Sequence, residues 1–236
     1  QGLAVTLKTE IDLEDVFTIM YTSGTTGKPK GVVHTYGNHW SSAIASALNL
    51  GIDRQDKWLA TLPLFHIGGF SLLMKNVIYG MPIYLLDKYE VATINQAILT
   101  KGVTIVSVVS VMLDRLIDNL ENQTYPATFR CMLLGGGPAS KYLVEKAKQH
   151  QIPVFQTYGM TETSSQIVTL SPADALKKIG SAGKALFTAQ VKILKADHST
   201  APLEVGEIYV KGPMVTRGYY QNEKENNAAF QQEWLA

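Results

Sequence analysis

Short β-rich runs alternate with longer helical patterns through most of this chain, and this alternation limits the fold more than any other feature of the sequence. The predicted strands lie at residues 16–21, 58–62, 82–86, 103–109, 130–134 and 154–156. The predicted helices run from Asn38, as N-cap, to Gly51, and over 70–79, 91–100, 111–120 and 140–150. Such alternation is typical of βαβ units. We therefore predict an α/β fold with a strand–helix alternating, largely parallel sheet, in which 16–21 is a buried strand.

The pattern changes after about residue 163. Residues 191–195 and 207–211 alternate apolar and polar side chains with period two, which is typical of antiparallel strands with one solvated face. We therefore predict two portions: an α/β portion over 1–175, and a β-rich portion over 176–236 that packs apart from the α/β sheet.

Composition narrows the class of protein. The 236-residue chain is 46% hydrophobic with a formal net charge of +1, which excludes intrinsic disorder and argues against a nucleic-acid-binding protein that depends on overall basicity. The longest apolar stretch, Val103–Leu113, is too short for a transmembrane helix, so we expect no membrane insertion. The one cysteine, Cys131, lies in an apolar run and is expected to be a buried thiol in a reducing cytoplasm. The sequence does not determine the oligomeric state, and a homo-oligomer is compatible with it.

A loop rich in glycine, hydroxyl and lysine residues follows the first strand: Thr22-Ser23-Gly24-Thr25-Thr26-Gly27-Lys28-Pro29-Lys30-Gly31. Its glycines let backbone N–H groups approach an anion, and its hydroxyls and lysines add donors and positive charge for phosphate oxygens. It is not a Walker A loop, because only Thr25 and Thr26 separate its first two glycines and Pro29 prevents an immediate helix. The loop predicts binding of a phosphate-containing ligand.

Together with four later motifs, this loop resembles the adenylate-forming superfamily of acyl-CoA synthetases, luciferases and peptide-synthetase adenylation domains. The later motifs are Pro63-Leu64-Phe65-His66-Ile67-Gly68-Gly69, Gly135-Gly136-Gly137-Pro138, Tyr158-Gly159-Met160-Thr161-Glu162-Thr163, and 206–213 with Gly218-Tyr219-Tyr220 behind it. All five occur in the family's order. The resemblance implies the middle part of the large N-terminal domain of such an enzyme.

Within the superfamily, the residues after the loop are most similar to the o-succinylbenzoate–CoA ligases of menaquinone biosynthesis. The similarity lies in 35–40, in the helix pattern 42–51, and in the stretches 62–69 and 160–166. It implies an ATP-dependent, AMP-forming acid–thiol ligase. The acid would be activated as an acyl-adenylate with release of pyrophosphate, and then transferred to CoA with release of AMP.

The resemblance implies a role for each motif. It places ATP or AMP against Thr22, Ser23, Gly24, Thr25, Thr26, Gly27, Lys28, Lys30, Gly135, Gly136, Gly137, Tyr158, Gly159, Met160 and Thr161. Tyr158 would stack on adenine, Thr161 would donate to the α-phosphate, and any Cβ at Gly135 to Gly137 would intrude on the adenine. Glu162 would bind Mg²⁺, which favours carboxylate and phosphate oxygens.

The acyl pocket is expected near the carboxyl ends of the strands, where open α/β sheets bind ligands. We assign to it His66, Phe70, Ser110, Gly136 and Gly159. His66 is given a catalytic role in gating this pocket but not as a general base, because a carboxylate is already ionised near neutral pH. The sequence does not identify partners for the second carboxylate of an aromatic diacid.

Three features of the superfamily are not found in this chain: the ribose-binding aspartate of a Thr-Gly-Asp motif, the small C-terminal domain with its catalytic lysine, and the upstream part of the large domain. We therefore expect the chain alone to be inactive as a ligase. Two alternatives stay open: a general fatty-acyl or aryl-acid CoA ligase, and a noncatalytic nucleotide-binding fragment. A peptide-synthetase adenylation domain is disfavoured, since no acidic residue is clearly placed to hold an amino group.

Overall fold

The computed structural model describes residues 7–22, 28–195, 199 and 203–236. Its centre is a seven-stranded sheet with the order β4–β3–β5–β6–β7–β8–β9. The strands are β3 (Trp58–Ala60), β4 (Ile83–Leu85), β5 (Ile105–Val108), β6 (Cys131–Leu134), β7 (Val154–Met160), β8 (Ser165–Leu170) and β9 (Lys184–Ala185). The first five in spatial order are parallel, and β8 and β9 are antiparallel additions. The predicted α/β class with a largely parallel sheet is confirmed.

Helices cover both faces of the parallel strands. They are α1 (Tyr36–Leu50), α2 (Ile67–Tyr79), α3 (Val91–Thr100), α4 (Ser110–Leu120) and α5 (Lys141–Gln149). Alternate residues of one strand enter different cores: Met132 and Leu134 pack with α3, α4 and α5, whereas Cys131 and Leu133 pack with Leu72 of α2. Burial on both faces explains why these strands read as continuous apolar runs. Cys131 is buried and free, as predicted.

The start of the chain differs from the prediction. Strand β1 (Val16–Thr22) pairs antiparallel with β2 (Lys30–Thr35) in a separate two-stranded sheet. Only Met20 of β1 is buried, so the prediction of a buried strand is wrong: a two-stranded pair leaves one face uncovered. The predicted N-cap Asn38 is also wrong by three residues. Thr35 caps α1, and Asn38 closes a capping box with it.

The last part of the described chain forms an antiparallel sheet with the order β10–β11–β13–β12. Its strands are β10 (Gln190–Leu194), β11 (Glu207–Lys211), β12 (Phe230–Gln231) and β13 (Trp234–Leu235), with helix α6 (Glu223–Ala229) before β12. The period-two predictions for 191–195 and 207–211 are confirmed. However, Val210 and Leu235 share one apolar cluster with Ile167 of β8 and Ala45 of α1, so this sheet does not have a separate core. The division at residue 175 stays a prediction.

No helix in the described ranges is long and apolar enough to cross a membrane.

Candidate functional site

Two adjoining cavities open at the carboxyl ends of β5, β6 and β7. The inner cavity has a volume of about 180 Å³ and the outer one about 440 Å³. Their shared wall consists of Gly136, Thr157 and Gly159. The two cavities therefore lie next to each other, on either side of these three residues.

The inner cavity is apolar apart from a few side chains, and one of these is a lysine. Trp58, Leu72 and Leu133 supply apolar wall, and the Lys75 side chain enters from α2. Lys75 is only 2% exposed. Its Nζ donates to Gln166 Oε1 at 3.0 Å and lies 5.1 Å from the centroid of the Trp58 ring. Among the described residues, no carboxylate forms an ion pair with Lys75.

Burial lowers the pKa of the Lys75 ammonium to about 8. A buried cation without a counter-ion carries a desolvation cost that a bound anion would offset. Gln166 Oε1 also accepts from Ser46 Oγ at 2.7 Å, which fixes the amide oxygen toward Lys75. The floor of the inner cavity is thus suited to an anionic group of a ligand.

The outer cavity is bounded by two glycine turns and by the start of the Tyr158 motif. Gly136 has φ +79°, a left-handed conformation that favours glycine, and a Cβ there would lie 3.0 Å from Val109. At Gly137 a Cβ would meet no protein atom within 4 Å, so the space beside it is open to a ligand. Tyr158 lines this cavity from β7. Burial, and then the charge of Glu162, raise the pKa of the Tyr158 phenol.

The Tyr158 motif continues from β7 into a single 3₁₀ turn over Thr161–Thr163. Two contacts with distant residues fix this turn: Glu162 O accepts from Thr216 N at 2.7 Å, and Thr161 O lies 2.7 Å from His34 Nε2. Because a carbonyl only accepts, His34 Nε2 carries the proton. The Glu162 side chain accepts from the Tyr219 hydroxyl at Oε1, at 3.0 Å.

Two buried histidines support this turn from behind. Thr18 Oγ1 lies 3.3 Å from His34 Nδ1 and 3.0 Å from His39 Nε2. Because His34 carries its proton on Nε2, its Nδ1 accepts from the Thr18 hydroxyl. The same hydroxyl oxygen then accepts from His39 Nε2. His39 Nδ1 is buried without a partner in the described structure. Burial lowers the pKa of His34, and burial followed by repulsion from His34 lowers that of His39 to about 3. Both rings are therefore neutral near pH 7.

The chemistry of the site fits magnesium bound together with phosphates. Glu162 is a hard oxygen ligand, and Tyr219 occupies only one of its two carboxylate oxygens. In the part of the chain that the structure describes, no group of three or more His, Cys, Asp or Glu side chains forms a metal cage. Mg²⁺ commonly uses one or two carboxylates plus substrate phosphates, so a single glutamate suffices beside ATP.

The described structure includes only some of the predicted phosphate-loop residues. Ser23, Gly24, Thr25, Thr26 and Gly27 lie outside the described residues. Thr22 ends β1, and Lys28 is exposed. The Lys30 ammonium lies 2.5 Å from Glu225 Oε2 and 5.2 Å from the centroid of the Tyr219 ring. Lys30 is thus held in an ion pair in this structure, and its contact with phosphate stays a prediction.

Three of the five predicted acyl-pocket residues lie outside the wall of the inner cavity. Gly136 and Gly159 line it, but His66, Phe70 and Ser110 do not. Helical periodicity gives the reason. Gly68, Ser71, Leu72 and Lys75 face the cavity at spacings of three and four residues, so Phe70 points to the other side, toward Phe17 and His39. His66 is exposed at the N-cap of α2, and Ser110 begins α4.

Sequence reasoning missed Lys75, although a signal was available. Gly68 belongs to the motif 63–69, and Lys75 follows it by seven residues on the same helical face. A lysine within the apolar run Leu72-Leu73-Met74-Lys75 is unusual for a buried helix face. Gln166 and Tyr219 lie in stretches that carry the resemblance, but their partners are distant in sequence, so no local pattern predicts these contacts.

A family model described as AMP-binding enzyme matches residues 4–220 of the chain. The chain belongs to the AMP-binding enzyme family. The predicted membership of the adenylate-forming superfamily is therefore confirmed.

Individual members of the AMP-binding family are closely similar. A 2-succinylbenzoate–CoA ligase of Oceanobacillus iheyensis is 63% identical over 231 residues, which are 98% of this chain and 48% of the relative. The o-succinylbenzoate coenzyme A synthetase of Bacillus subtilis, solved in complex with ATP and magnesium ion, is 49% identical with a TM-score of 0.93, over 100% of this chain and 50% of that one. The same synthetase with its acyl-adenylate intermediate is 51% identical with a TM-score of 0.91, over 95% and 46%. The chain spans about half the length of these relatives.

Proposed function

We propose that this chain carries the nucleotide- and acid-binding part of an ATP-dependent, AMP-forming acid–CoA ligase that acts on o-succinylbenzoate. The observation that carries the proposal is Lys75, a buried ammonium that pairs with no carboxylate of the described residues, at the floor of the inner cavity beside the outer cavity. An aromatic diacid supplies what this cavity lacks: an apolar ring for Trp58 and Leu72, and a distal carboxylate for Lys75.

The two joined cavities suit adenylation. With the diacid in the inner cavity, its reacting carboxylate lies at the wall formed by Gly136, Thr157 and Gly159. A carboxylate oxygen attacks the α-phosphorus of ATP in the outer cavity, and the bond to pyrophosphate breaks. No base is needed, because the carboxylate is already ionised. Holding the two anions in this geometry supplies a large part of the rate enhancement.

Charge neutralisation is the second requirement, because the reacting groups are both anions. Bound Mg²⁺ would neutralise phosphate charge, and Glu162 is the residue that would hold it. Thr161 would donate its hydroxyl to the α-phosphate, and the loop over 22–28 would bind the outer phosphates. In the second half-reaction, the CoA thiolate attacks the acyl carbon and AMP leaves. We expect ATP, Mg²⁺ and CoA to serve the full-length protein, in the cytoplasm.

The two alternative functions differ from the proposed one in what they require of the inner cavity and its Lys75 ammonium. A fatty-acyl or simple aryl-acid ligase would place apolar atoms against a buried ammonium, which is costly. A noncatalytic nucleotide-binding fragment would not require the inner cavity. The second alternative is tested by two measurements: calorimetry of ATP and Mg²⁺ binding to the 236-residue chain, and pyrophosphate release by the full-length protein. ATP binding to the chain, together with no pyrophosphate release by the full-length protein, would support the noncatalytic alternative.

The decisive experiment compares two acids in ATP–pyrophosphate exchange by the full-length protein. One is o-succinylbenzoate, and the other is 4-oxo-4-phenylbutanoate, which lacks only the ring carboxylate. We expect Lys75→Met to raise the KM for the diacid about 30-fold or more, because breaking a buried charge pair costs about 2–5 kcal/mol. The monoacid should bind poorly to the wild type and no worse to the variant. The exposed Lys177→Met is the matched control. Equal use of both acids by the wild type would favour the aryl-acid alternative.

The pH dependence of the KM for the diacid tests the role of Lys75 independently. Since burial lowers the pKa of Lys75 to about 8, the free protein keeps its cation below that pH and loses it above. We expect the KM for the diacid to be flat below about pH 8 and to rise roughly tenfold per pH unit above it. The same rise in Lys75→Met would contradict the assignment.

A further inference from the structure

Tyr219 joins the motif glutamate to a segment that follows it by more than fifty residues. The phenol hydroxyl donates to Glu162 Oε1 at 3.0 Å, and the tyrosine side chain is largely buried. A carboxylate has two oxygens, and the described residues give Oε2 no hydrogen bond. The tyrosine therefore holds the carboxylate in one orientation and leaves its second oxygen available.

The main chain around Tyr219 is fixed on two sides. Tyr219 N donates to Asn226 Oδ1 at 2.7 Å, and Asn226 Nδ2 donates back to Tyr219 O at 3.1 Å. On the other side Tyr220 N donates to Gly31 O at 2.7 Å, next to an antiparallel bridge between Val32 and Tyr219. The phenol thus reaches Glu162 from a rigid support that includes the strand following the phosphate loop.

The ring of Tyr219 also contacts the lysine at the end of that loop. Lys30 Nζ lies 5.2 Å from the ring centroid while it pairs with Glu225 of α6. One side chain therefore contacts both the carboxylate of the Tyr158 motif and the lysine of the phosphate loop.

We propose that Tyr219 is a positioning residue for the magnesium–ATP complex. By holding Glu162 through Oε1, it would leave Oε2 as the oxygen with which Glu162 binds the metal. This rests on the proposed function, in which Glu162 is the magnesium ligand. Groups that hydrogen-bond to a metal ligand typically contribute about 10- to 100-fold to metal affinity or activity. The proposal gives the Gly218-Tyr219-Tyr220 motif a specific task beyond packing.

The test uses the full-length protein with Tyr219→Phe, which removes only the hydroxyl. Metal binding is measured directly with Mn²⁺ by electron paramagnetic resonance, in the presence of a non-hydrolysable ATP analogue. The Mg²⁺ concentration for half-maximal ATP–pyrophosphate exchange is measured alongside. We expect the dissociation constant for Mn²⁺ and the half-maximal Mg²⁺ concentration each to rise about 10- to 100-fold in Tyr219→Phe. The KM for the acid should stay unchanged, because Lys75 is untouched. Values within twofold of wild type would overturn the proposal.

Two further variants separate this proposal from the proposed function. Tyr220→Phe is the matched control, since Tyr220 is exposed and should leave both constants unchanged. Glu162→Gln should lose most metal binding and adenylation with the fold intact. If Glu162→Gln loses metal binding and Tyr219→Phe does not, only the role of Tyr219 is overturned. If Glu162→Gln binds the metal normally, the magnesium assignment fails as well. Melting temperatures exclude a trivial loss of folding.

Discussion

At the scale of single residues, Gly159 shows how tightly the site is built. A Cβ at this position would lie 1.9 Å from Ser165 O, because β7 and β8 approach closely where their register shifts between Tyr158 and Gly159. The glycine after Tyr158 suggested only that the backbone lies near a ligand. The structure adds a second reason, since the partner strand itself excludes any side chain.

We expect Gly159→Ala to destabilise the fold by about 1–3 kcal/mol, in line with overpacking of a close contact. Chemical denaturation measures this loss. Gly137→Ala is the matched control, because a Cβ there meets no protein atom within 4 Å. It should leave the free energy of unfolding unchanged and raise the KM for ATP if adenine lies beside Gly137. A Gly159→Ala protein as stable as the wild type would contradict the argument from close strand approach.

At the scale of elements, helix α1 holds the site together through one polar face. Asn38, Ser42 and Ser46 are four residues apart and therefore lie on one side of the helix. Asn38 Nδ2 donates to Pro213 O at 2.9 Å and to Val215 O at 3.0 Å, and Ser42 Oγ donates to Ser164 O at 2.8 Å. Ser46 reaches Gln166, as described above. The helix thus ties β8 and the segment before Tyr219 to one support.

We expect Asn38→Ala to cost about 1–3 kcal/mol, since it leaves the buried Val215 carbonyl without this donor and opens the capping box. Asn49→Ala, at an exposed position of the same helix, should change stability by less than about 0.5 kcal/mol. Thermal or denaturant unfolding of the three proteins measures the difference. Equal stability of the two variants would show that the polar face of α1 contributes little.

At the scale of the whole molecule, an ion pair between the buried Asp56 and the partly exposed Arg130 joins three separate parts of the fold. Arg130 at the start of β6 donates from Nε to Asp56 Oδ1 at 2.7 Å and from Nη1 to Leu50 O, at the end of α1, at 2.6 Å. Asp56 is 1% exposed, and Thr104 Oγ1, ahead of β5, also donates to it at 2.9 Å. Burial alone would raise the pKa of Asp56, but the hydrogen bonds from Arg130, Asp53 and Thr104 outweigh it and lower the pKa.

We expect Arg130→Met to destabilise the protein by about 3–5 kcal/mol at pH 7, because it leaves a buried carboxylate unpaired. A depressed carboxyl pKa stabilises the fold above the unfolded pKa, and this contribution is lost as pH falls through the folded pKa. The difference between wild type and variant should therefore shrink toward acidic pH. Lys141→Met, which removes an exposed pair with Glu145, should cost less than about 1 kcal/mol. A pH-independent difference for Arg130→Met would contradict this account.

Local patterns predicted most elements correctly, because their causes lie within a few residues. Helix α3 runs over Val91–Thr100 as predicted, and α2 ends at the left-handed Gly80. The antiparallel strand β8 and the two-stranded pairing of β1 were not predicted. Both depend on which partner strand is available, and periodicity within one segment does not contain that information.

For the site, the resemblance of five motifs to the adenylate-forming superfamily identified the family and the motif residues. Their expected place at the carboxyl ends of parallel strands followed from strand direction and turn residues, which are local properties of the sequence. Which side chains line the cavities depends on the packing of the folded chain. The rotation of α2 turns Lys75 toward the inner cavity and Phe70 away from it, Lys30 pairs with Glu225, and Tyr219 reaches Glu162. These contacts join residues that are distant along the chain, and their energies depend on burial and distance, which exist only once the chain has folded.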